Sequence, residues 1–229
     1  MARQLTLDLT TPPALSRSDF LTTSANRDAL ALLDDISLWP QRRLLLLGGP
    51  GAGKSHLAQF WSAEQGAIRV RADDLMPDEA EALITPDGAL VVEDAHEIAG
   101  NSNAEKALFH LWNLAAAERA LLLITARTPP RTWGLVLPDL LSRVEMMTPA
   151  VLGPPDDALL PAVLVKLFAD RQLQVMPGVI EWLALRMDRD LDLARHLVAA
   201  IDRESLADRR PITRKLVSEL LDKLAPSDA

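Results

Sequence analysis

The sequence predicts an α/β fold: a parallel sheet with helices on both faces, followed by a small all-helical part. Three observations lead there. Four short apolar runs alternate with helical patterns, a glycine-rich turn ending in lysine and serine joins the first run to the helix after it, and beyond residue 152 no strand-like run follows.

Taken in order, Asn26 to Leu38 carries helical periodicity through Leu30, Leu33 and Ser37, and Pro40 closes it. The apolar runs are Leu44 to Leu47, Ala67 to Val70, Ala89 to Val92 and Leu121 to Ile124, with a fifth, weaker one around Val144 to Met147. Each is too short for a buried helix and is bounded by turn-forming or charged residues, as a strand buried on both faces is. Ser102-Asn103-Ala104-Glu105 has the capping-box pattern, and Ala104, Ala107, Leu108, Leu111, Leu114 and Ala115 follow at helical spacing. Gly153-Pro154-Pro155 breaks both periodicities and sets a domain boundary, giving an extended tail at 1–13, a sheet domain at 14–152 and a helical domain at 153–229. Helices are expected there at about 156–171, 177–187, 190–207 and 213–224, the last behind a Thr213 cap with an apolar stripe of Leu216, Val217, Leu220, Leu221 and Leu224.

Composition narrows the function. The 229 residues, 48% of them hydrophobic, suffice for one large domain or one large and one small. With no cysteine there is no disulfide framework, thiolate metal site or cysteine nucleophile, which fits a reducing compartment. No apolar run approaches the roughly 20 residues needed to cross a bilayer, and the start of the chain has no leader pattern, so a cytoplasmic protein without membrane contact is expected. Thirty-two acidic against 24 basic side chains leave a net charge of -8, which repels nucleic-acid phosphates overall. Arg209, Arg210, Arg214 and Lys215 are the one basic cluster near the end, and they read as a solvated helix start; no direct sequence-specific nucleic-acid binding is expected.

The chemistry concentrates in two places. Gly48-Gly49-Pro50-Gly51-Ala52-Gly53-Lys54-Ser55 fits G-x-x-x-x-G-K-S/T between a strand and a helix, with His56 in the next position. Glycines there let backbone N–H groups turn toward phosphates, the helix start adds a favourable dipole, Lys54 neutralises the β and γ phosphates, and Ser55 holds Mg2+. A glycine-rich turn that merely packs tightly explains the glycines but not a lysine followed by a hydroxyl. The third run ends in Glu93-Asp94, so two carboxylates emerge where ligands sit in open α/β sheets. One of them, Glu93, reaches Mg2+, and Asp94 orients an attacking water. His56, His96, His110 and His196 show no metal-ligand spacing, and no G-x-S-x-G elbow occurs.

With these motifs and the helical tail, nearly the whole chain resembles the AAA+ domains of the bacterial initiator DnaA and, more closely, the short DnaA-related Hda family. Asn26-Arg27 and Leu137-Pro138-Asp139-Leu140-Leu141-Ser142-Arg143-Val144 complete the likeness. The resemblance implies an AAA+ sheet domain with a helical lid, ADP or ATP as ligand, and Arg143 acting in trans as an arginine finger on nucleotide held by a neighbouring subunit. Without the resemblance, Arg143 reads as a surface arginine before a strand. Gln4-Leu5-Thr6-Leu7-Asp8-Leu9 resembles the peptide by which this family docks on the β subunit of the DNA polymerase sliding clamp: Leu5, Leu7 and Leu9 at period two fill an apolar groove and Gln4 hydrogen-bonds. Alone, it reads as an edge strand.

Three positions depart from the family pattern. Glu93 stands where an aspartate is usual. Arg127 falls near the polar sensor 1 position, for which Thr125 is the substitute. Asp192 stands at the sensor 2 arginine, with Arg189 and Arg195 one helical turn to either side. DnaA continues past its lid into a basic helix-turn-helix domain and this chain stops at Ala229, so the expectation is a negative regulator of replication initiation that is held on the clamp and stimulates hydrolysis on DnaA, with a homodimer open. A helicase loader of the DnaC type that turns over ATP itself is the alternative, with a small-molecule P-loop kinase behind both.

Overall fold

The run Leu44–Leu47 lies wholly inside the sheet because it is covered on both faces. In the computed structural model, which describes residues 17, 20–208 and 211–224, these residues belong to β1 (Arg43–Gly48), an internal strand. The other strands are β2 (Ile68–Arg71), β3 (Ala89–Glu93), β4 (Leu121–Ala126) and β5 (Thr148–Leu152), all parallel in the order β2-β3-β4-β1-β5. Leu45 pairs with Ile124 on one side and Pro149 on the other, and Arg71 pairs with Glu93 at the outer edge.

Alternation along the strands sends successive residues to opposite faces. Leu45, Leu47, Leu90, Val92, Leu122 and Ile124 meet α3 (Ser102–Ala117) and α4 (Pro138–Glu145) through Ala107, Leu108, Leu111, Leu140 and Val144. Leu44, Leu46, Val91, Leu121 and Leu123 face α1 (Arg27–Asp34) and α2 (Lys54–Gln65) through Leu30, Leu33, Leu57 and Phe60, with Trp39 stacked on Trp61 at 5.2 Å. Each such leucine, fully removed from water, contributes roughly 2 kcal/mol of transfer free energy.

A third core is built from α5 (Leu159–Asp170), α6 (Pro177–Ala184), α7 (Leu191–Asp208) and α8 (Arg214–Leu224), centred on Leu164, Leu183, Ala194, Leu197, Val198 and Ile201. Leu216 N–H donates to Thr213 Oγ1 at 3.4 Å at the start of α8. This bundle lies over the end of the sheet that carries the loop 48–55: the Leu191 N–H donates to the Gly51 carbonyl at 3.0 Å.

Three local expectations are corrected. The fifth strand is Thr148–Leu152, and Val144 belongs instead to α4, whose buried Leu140 and Val144 are four residues apart. Pro149 hid the strand, and it is tolerated because β5 lies at the sheet edge. The first helix stops at Asp34 and a separate 3-10 turn covers Ile36–Leu38, capped by Asp35. The cap of α3 is Asn101, whose side chain accepts from the Asn103 and Ala104 N–H groups, which frees Glu105 for another use. Among the described residues no helix is long and apolar enough to cross a membrane.

Candidate functional site

Gly48 closes β1 and Lys54 opens α2, so the loop between them hangs over the C-terminal end of the sheet. Gly51 and Gly53 carry φ of +63° and +94°, a left-handed backbone that other residues adopt only at a cost. Gly48 has a separate reason: an added Cβ would lie 3.0 Å from Leu152 Cβ. Gly49 and Pro50 are exposed at the tip, Ala52 is buried beneath it, and Ser55 is exposed in the first turn of α2. Lys54 is buried and its Nζ donates to the Gly48 and Gly49 carbonyls at 2.8 and 2.9 Å. Burial pushes the Lys54 ammonium below the ordinary lysine range, opposed by Asp94 and, more weakly, by Asp192 and Asp190.

The acidic strand end is tied down. Asp94 sits at φ +53°, and its N–H donates to Thr125 Oγ1 at 3.0 Å, so fully buried Thr125 in β4 fixes the turn that carries the carboxylate. Glu93 accepts from Arg69 of β2, and Asp94 Oδ2 lies 3.5 Å from Arg71 Nη1. Arg127 pairs with Glu97 at 3.5 Å. His96 is pushed down chiefly by burial and so stays neutral near neutral pH.

The helical bundle brings Arg195 to this side and leaves Arg189 on another. Arg195 Nη2 lies 3.0 Å from His56 Nδ1, and its Nη1 donates to Asp192 at 2.7 Å. Arg189 bonds Asp157 and lines a cavity of about 380 Å3 with Glu181 and Leu185 on the bundle itself. A mostly apolar cavity of about 330 Å3 opens beside α2, between Phe20, Asn26, His56, Leu159, Leu191 and Arg195. Asn26, buried, shapes its rim by accepting from the Thr23 N–H and donating to the Leu21 carbonyl.

Arg143 lies at the other end of the sheet. It is near the C-terminus of α4, just ahead of β5, with its guanidinium 4.3 Å over the Phe109 ring and bonded to Asn113 Oδ1 on α3. Arg43, the first residue of β1, is pushed down by burial and then by the charge of Arg143. The six residues of β1 therefore separate Arg143 from the loop after Gly48, roughly 20 Å.

Several contributing residues were not singled out from the sequence. Asp190 caps α7, its Oδ1 accepting from the Asp192 and Leu193 N–H groups at 2.7 and 2.9 Å, and it lies directly on Gly51. An aspartate just before an apolar helix was the available signal. Arg69 and Arg71 alternate with Ile68 and Val70, which marks them as one face of a strand. Glu105, fully buried, accepts from the Gly100, Val136 and Leu137 N–H groups and so anchors the entry to α4; nothing in the sequence told it from a capping residue. Gln4, Leu5, Leu7 and Leu9, with Arg209 and Arg210, lie outside the described residues.

The residues present suit a nucleotide phosphate chain, with left-handed glycines, a buried lysine and an open hydroxyl at a helix start. Among the described residues no group of three or more histidine or acidic side chains forms a metal site of its own. Magnesium here would be held jointly by the phosphates, Ser55 and one strand-end carboxylate.

No protein-family model matches the sequence. Among solved structures the chain is similar to domain III of the replication initiation protein DnaA of Thermotoga maritima, with a TM-score of 0.78 and 18% identity over 93% of this chain and 98% of that one. It is similar to AMPPCP-bound DnaA from Aquifex aeolicus, with a TM-score of 0.69 and 18% identity over 90% of this chain and 70% of that one. It is also similar to RuvB of Thermotoga maritima, with a TM-score of 0.68 and 16% identity over 91% of this chain and 71% of that one. The parallel sheet with helices on both faces and a helical bundle behind it is a DnaA-like AAA+ fold.

Proposed function

We propose that the chain is a nucleotide-dependent negative regulator of replication initiation: it binds ADP or ATP with Mg2+ on the loop 48–55 and offers Arg143 to ATP held by DnaA. The observation that carries this reading is the placement of Arg143 at the far end of the sheet from Lys54. An arginine so far from the phosphate loop of its own chain serves a phosphate on another molecule or none. Phe109 and Asn113 hold its guanidinium at the surface of α3, which limits the freedom it loses on engaging a partner.

In this reading the cavity beside α2 takes the base, Lys54 and the loop amides take the phosphates, and Arg195 is the arginine that senses them from the lid. The tail with Gln4, Leu5, Leu7 and Leu9 holds the chain on the sliding clamp, raising its local concentration near DnaA in the cytoplasm. The helicase-loader reading requires turnover by the chain itself, and the arginines bound to Glu93 and Asp94 count against it.

The test is stimulation of ATP hydrolysis by purified DnaA in the presence of DNA-loaded clamp. Arg143→Ala is expected to lose roughly a thousandfold of the stimulated rate, the low end of what an arginine finger supplies. Stimulation equal to that of the parent chain overturns the assignment. Loss of clamp binding when residues 1–10 are deleted tests the tether separately.

A further inference from the structure

We propose that Arg43, a buried arginine with no carboxylate partner among the described residues, is a positioning residue for Arg143: seated on the neighbouring ring of α3, its charge keeps the Arg143 guanidinium turned outward, toward a phosphate held by a partner. The inference rests on Arg143 acting in trans and adds a residue that acts through it.

Phe109 and Trp112 stand three residues apart on α3 and so share one side of the helix. Each ring bears one guanidinium: that of Arg143 lies 4.3 Å over Phe109, and that of Arg43 lies 4.0 Å over Trp112. Arg43 is only 4% exposed. Its Nη1 donates to Gln41 Oε1 at 2.7 Å and its Nη2 to the Trp112 carbonyl at 3.0 Å, both neutral acceptors, while its Nε is buried without a hydrogen-bond partner. The turn before β1 is bent to make this seat. Gln41 and Arg42 follow one another with φ of +53° and +62°, a conformation that is costly for residues with a Cβ and persists only where the surroundings impose it.

An unneutralised cation this deep is costly, and the cost falls when an anion comes near. Arg143 is the charge that bears on Arg43, and the repulsion between them is mutual. The Trp112 ring is thereby closed to Arg143, which stays over Phe109 and bonded to Asn113 Oδ1 on the exposed side of α3. A partner's phosphate that reaches Arg143 also lies in the field of Arg43, and the attraction grows as charge develops there in the transition state. Arg43 therefore acts on the rate within the bound complex rather than on how tightly the partner is held.

The experiment follows ATP hydrolysis by DnaA against the concentration of the full-length chain on DNA-loaded clamp, for the parent and for Arg43→Met, Arg43→Lys and Arg143→Ala, with a thermal melt of each. Methionine fills the seat without the charge, a swap at a buried cation that leaves stability equal or higher, and lysine keeps a charge over Trp112. Arg43→Met is expected to lower the plateau rate about tenfold, within the hundredfold that a displaced reacting group can cost, and to leave the half-maximal concentration within about twofold. Arg43→Lys should recover part of the lost plateau. If Arg43→Met keeps the plateau within about twofold while Arg143→Ala loses it, or if Arg43→Met and Arg43→Lys fall alike, the positioning role is overturned and the action of Arg143 in trans stands. A shift of the half-maximal concentration in place of the plateau, or a melt lowered in step with the rate, also overturns it and makes Arg43 a structural residue. If Arg143→Ala stimulates like the parent, the action in trans falls and takes the inference with it.

Discussion

Lys54 and Arg143 are cations on one sheet, at its two ends, and they are held in opposite ways. Lys54 is buried, bonded to two carbonyls of its own loop and shifted by burial toward its neutral form. Arg143 is half-buried, laid over a ring and bonded to an amide oxygen on the neighbouring helix. An incoming phosphate relieves the desolvation of Lys54 and replaces its loop carbonyls, so that end of the molecule is built for a ligand the chain takes up. Arg143 keeps an open flank and gains nothing from that ligand. In the proposed function this contrast corresponds to binding in cis by Lys54 and action in trans by Arg143.

The sharpest test of that contrast is a crossed pair of substitutions. Lys54→Ala is expected to weaken ATP binding by about 3 kcal/mol, roughly a hundredfold, the cost of removing one partner of a desolvated charge pair. Arg143→Ala should leave ATP binding within about twofold, because some 20 Å of strand lie between it and the loop. Calorimetry on both variants decides it, and a large loss in Arg143→Ala would break the division into two ends.

Next in size is the mounting of the Arg143 helix. Glu105 gives its carboxylate to the Gly100, Val136 and Leu137 N–H groups, at 3.0, 2.9 and 2.7 Å, and so joins the loop beyond Asp94 to the start of α4. Glu105→Ala orphans these donors and is expected to cost about 3 kcal/mol of unfolding free energy, measured by urea titration. Glu105→Gln keeps one acceptor oxygen and should recover part of that loss. A Glu105→Ala protein as stable as the parent would show that α4 is held by Leu140 and Val144 alone.

The two ends also differed in how far they could be read from sequence. The strand–loop–helix turn at 48–55 was legible because its pattern is local: eight consecutive residues carry the glycines, the helix start and the lysine. Four of the strands, the crossover helices and the helical tail were legible for a similar reason, since each announces its period within a dozen residues; the fifth strand was misplaced because Pro149 hides it. Glu93 and Asp94 were visible as a strand end, but their partners Arg69 and Arg71 come from a strand two dozen residues earlier, and only the sheet order brings them together. Glu105 was misread because a glutamate three residues after a serine satisfies the capping pattern, while the α4-side amides it serves, those of Val136 and Leu137, lie 31 and 32 residues away. Arg189 and Arg195 could not be separated by spacing, since each is one turn from Asp192; packing turns Arg195 toward His56 and Arg189 toward Asp157.

A smaller effect is expected where the helical bundle meets the loop. A Cβ on Gly51 would fall 2.1 Å from Asp190 Oδ1 and 2.6 Å from Asp190 Cα, at a φ of +63° that already disfavours a side chain. Gly51→Ala must therefore displace the start of α7, breaking the Leu191 N–H bond to the Gly51 carbonyl, at about 2 kcal/mol. Hydrogen exchange should report it as faster exchange of the Leu191 amide, with the α3 amides unchanged. Equal loosening at both places would mean that loop and bundle are not a separable contact.

The smallest expected effect is on pH, through Lys54. Burial holds the Lys54 pKa below the ordinary 10.5, so as pH rises the folded chain releases this proton before the unfolded chain does. Between the depressed value and 10.5 the unfolded state binds more protons, and the Lys54 contribution to stability improves with rising pH. Phosphate affinity moves the other way across the same window, because the neutral amine no longer pairs with the phosphates. Binding restores the charge, so calorimetry in buffers of different ionisation enthalpy should register proton uptake. A guanidinium placed at this position stays charged throughout the window. Lys54→Arg should therefore bind with no proton uptake from this position; uptake that survives the substitution would place the titrating group elsewhere in the site.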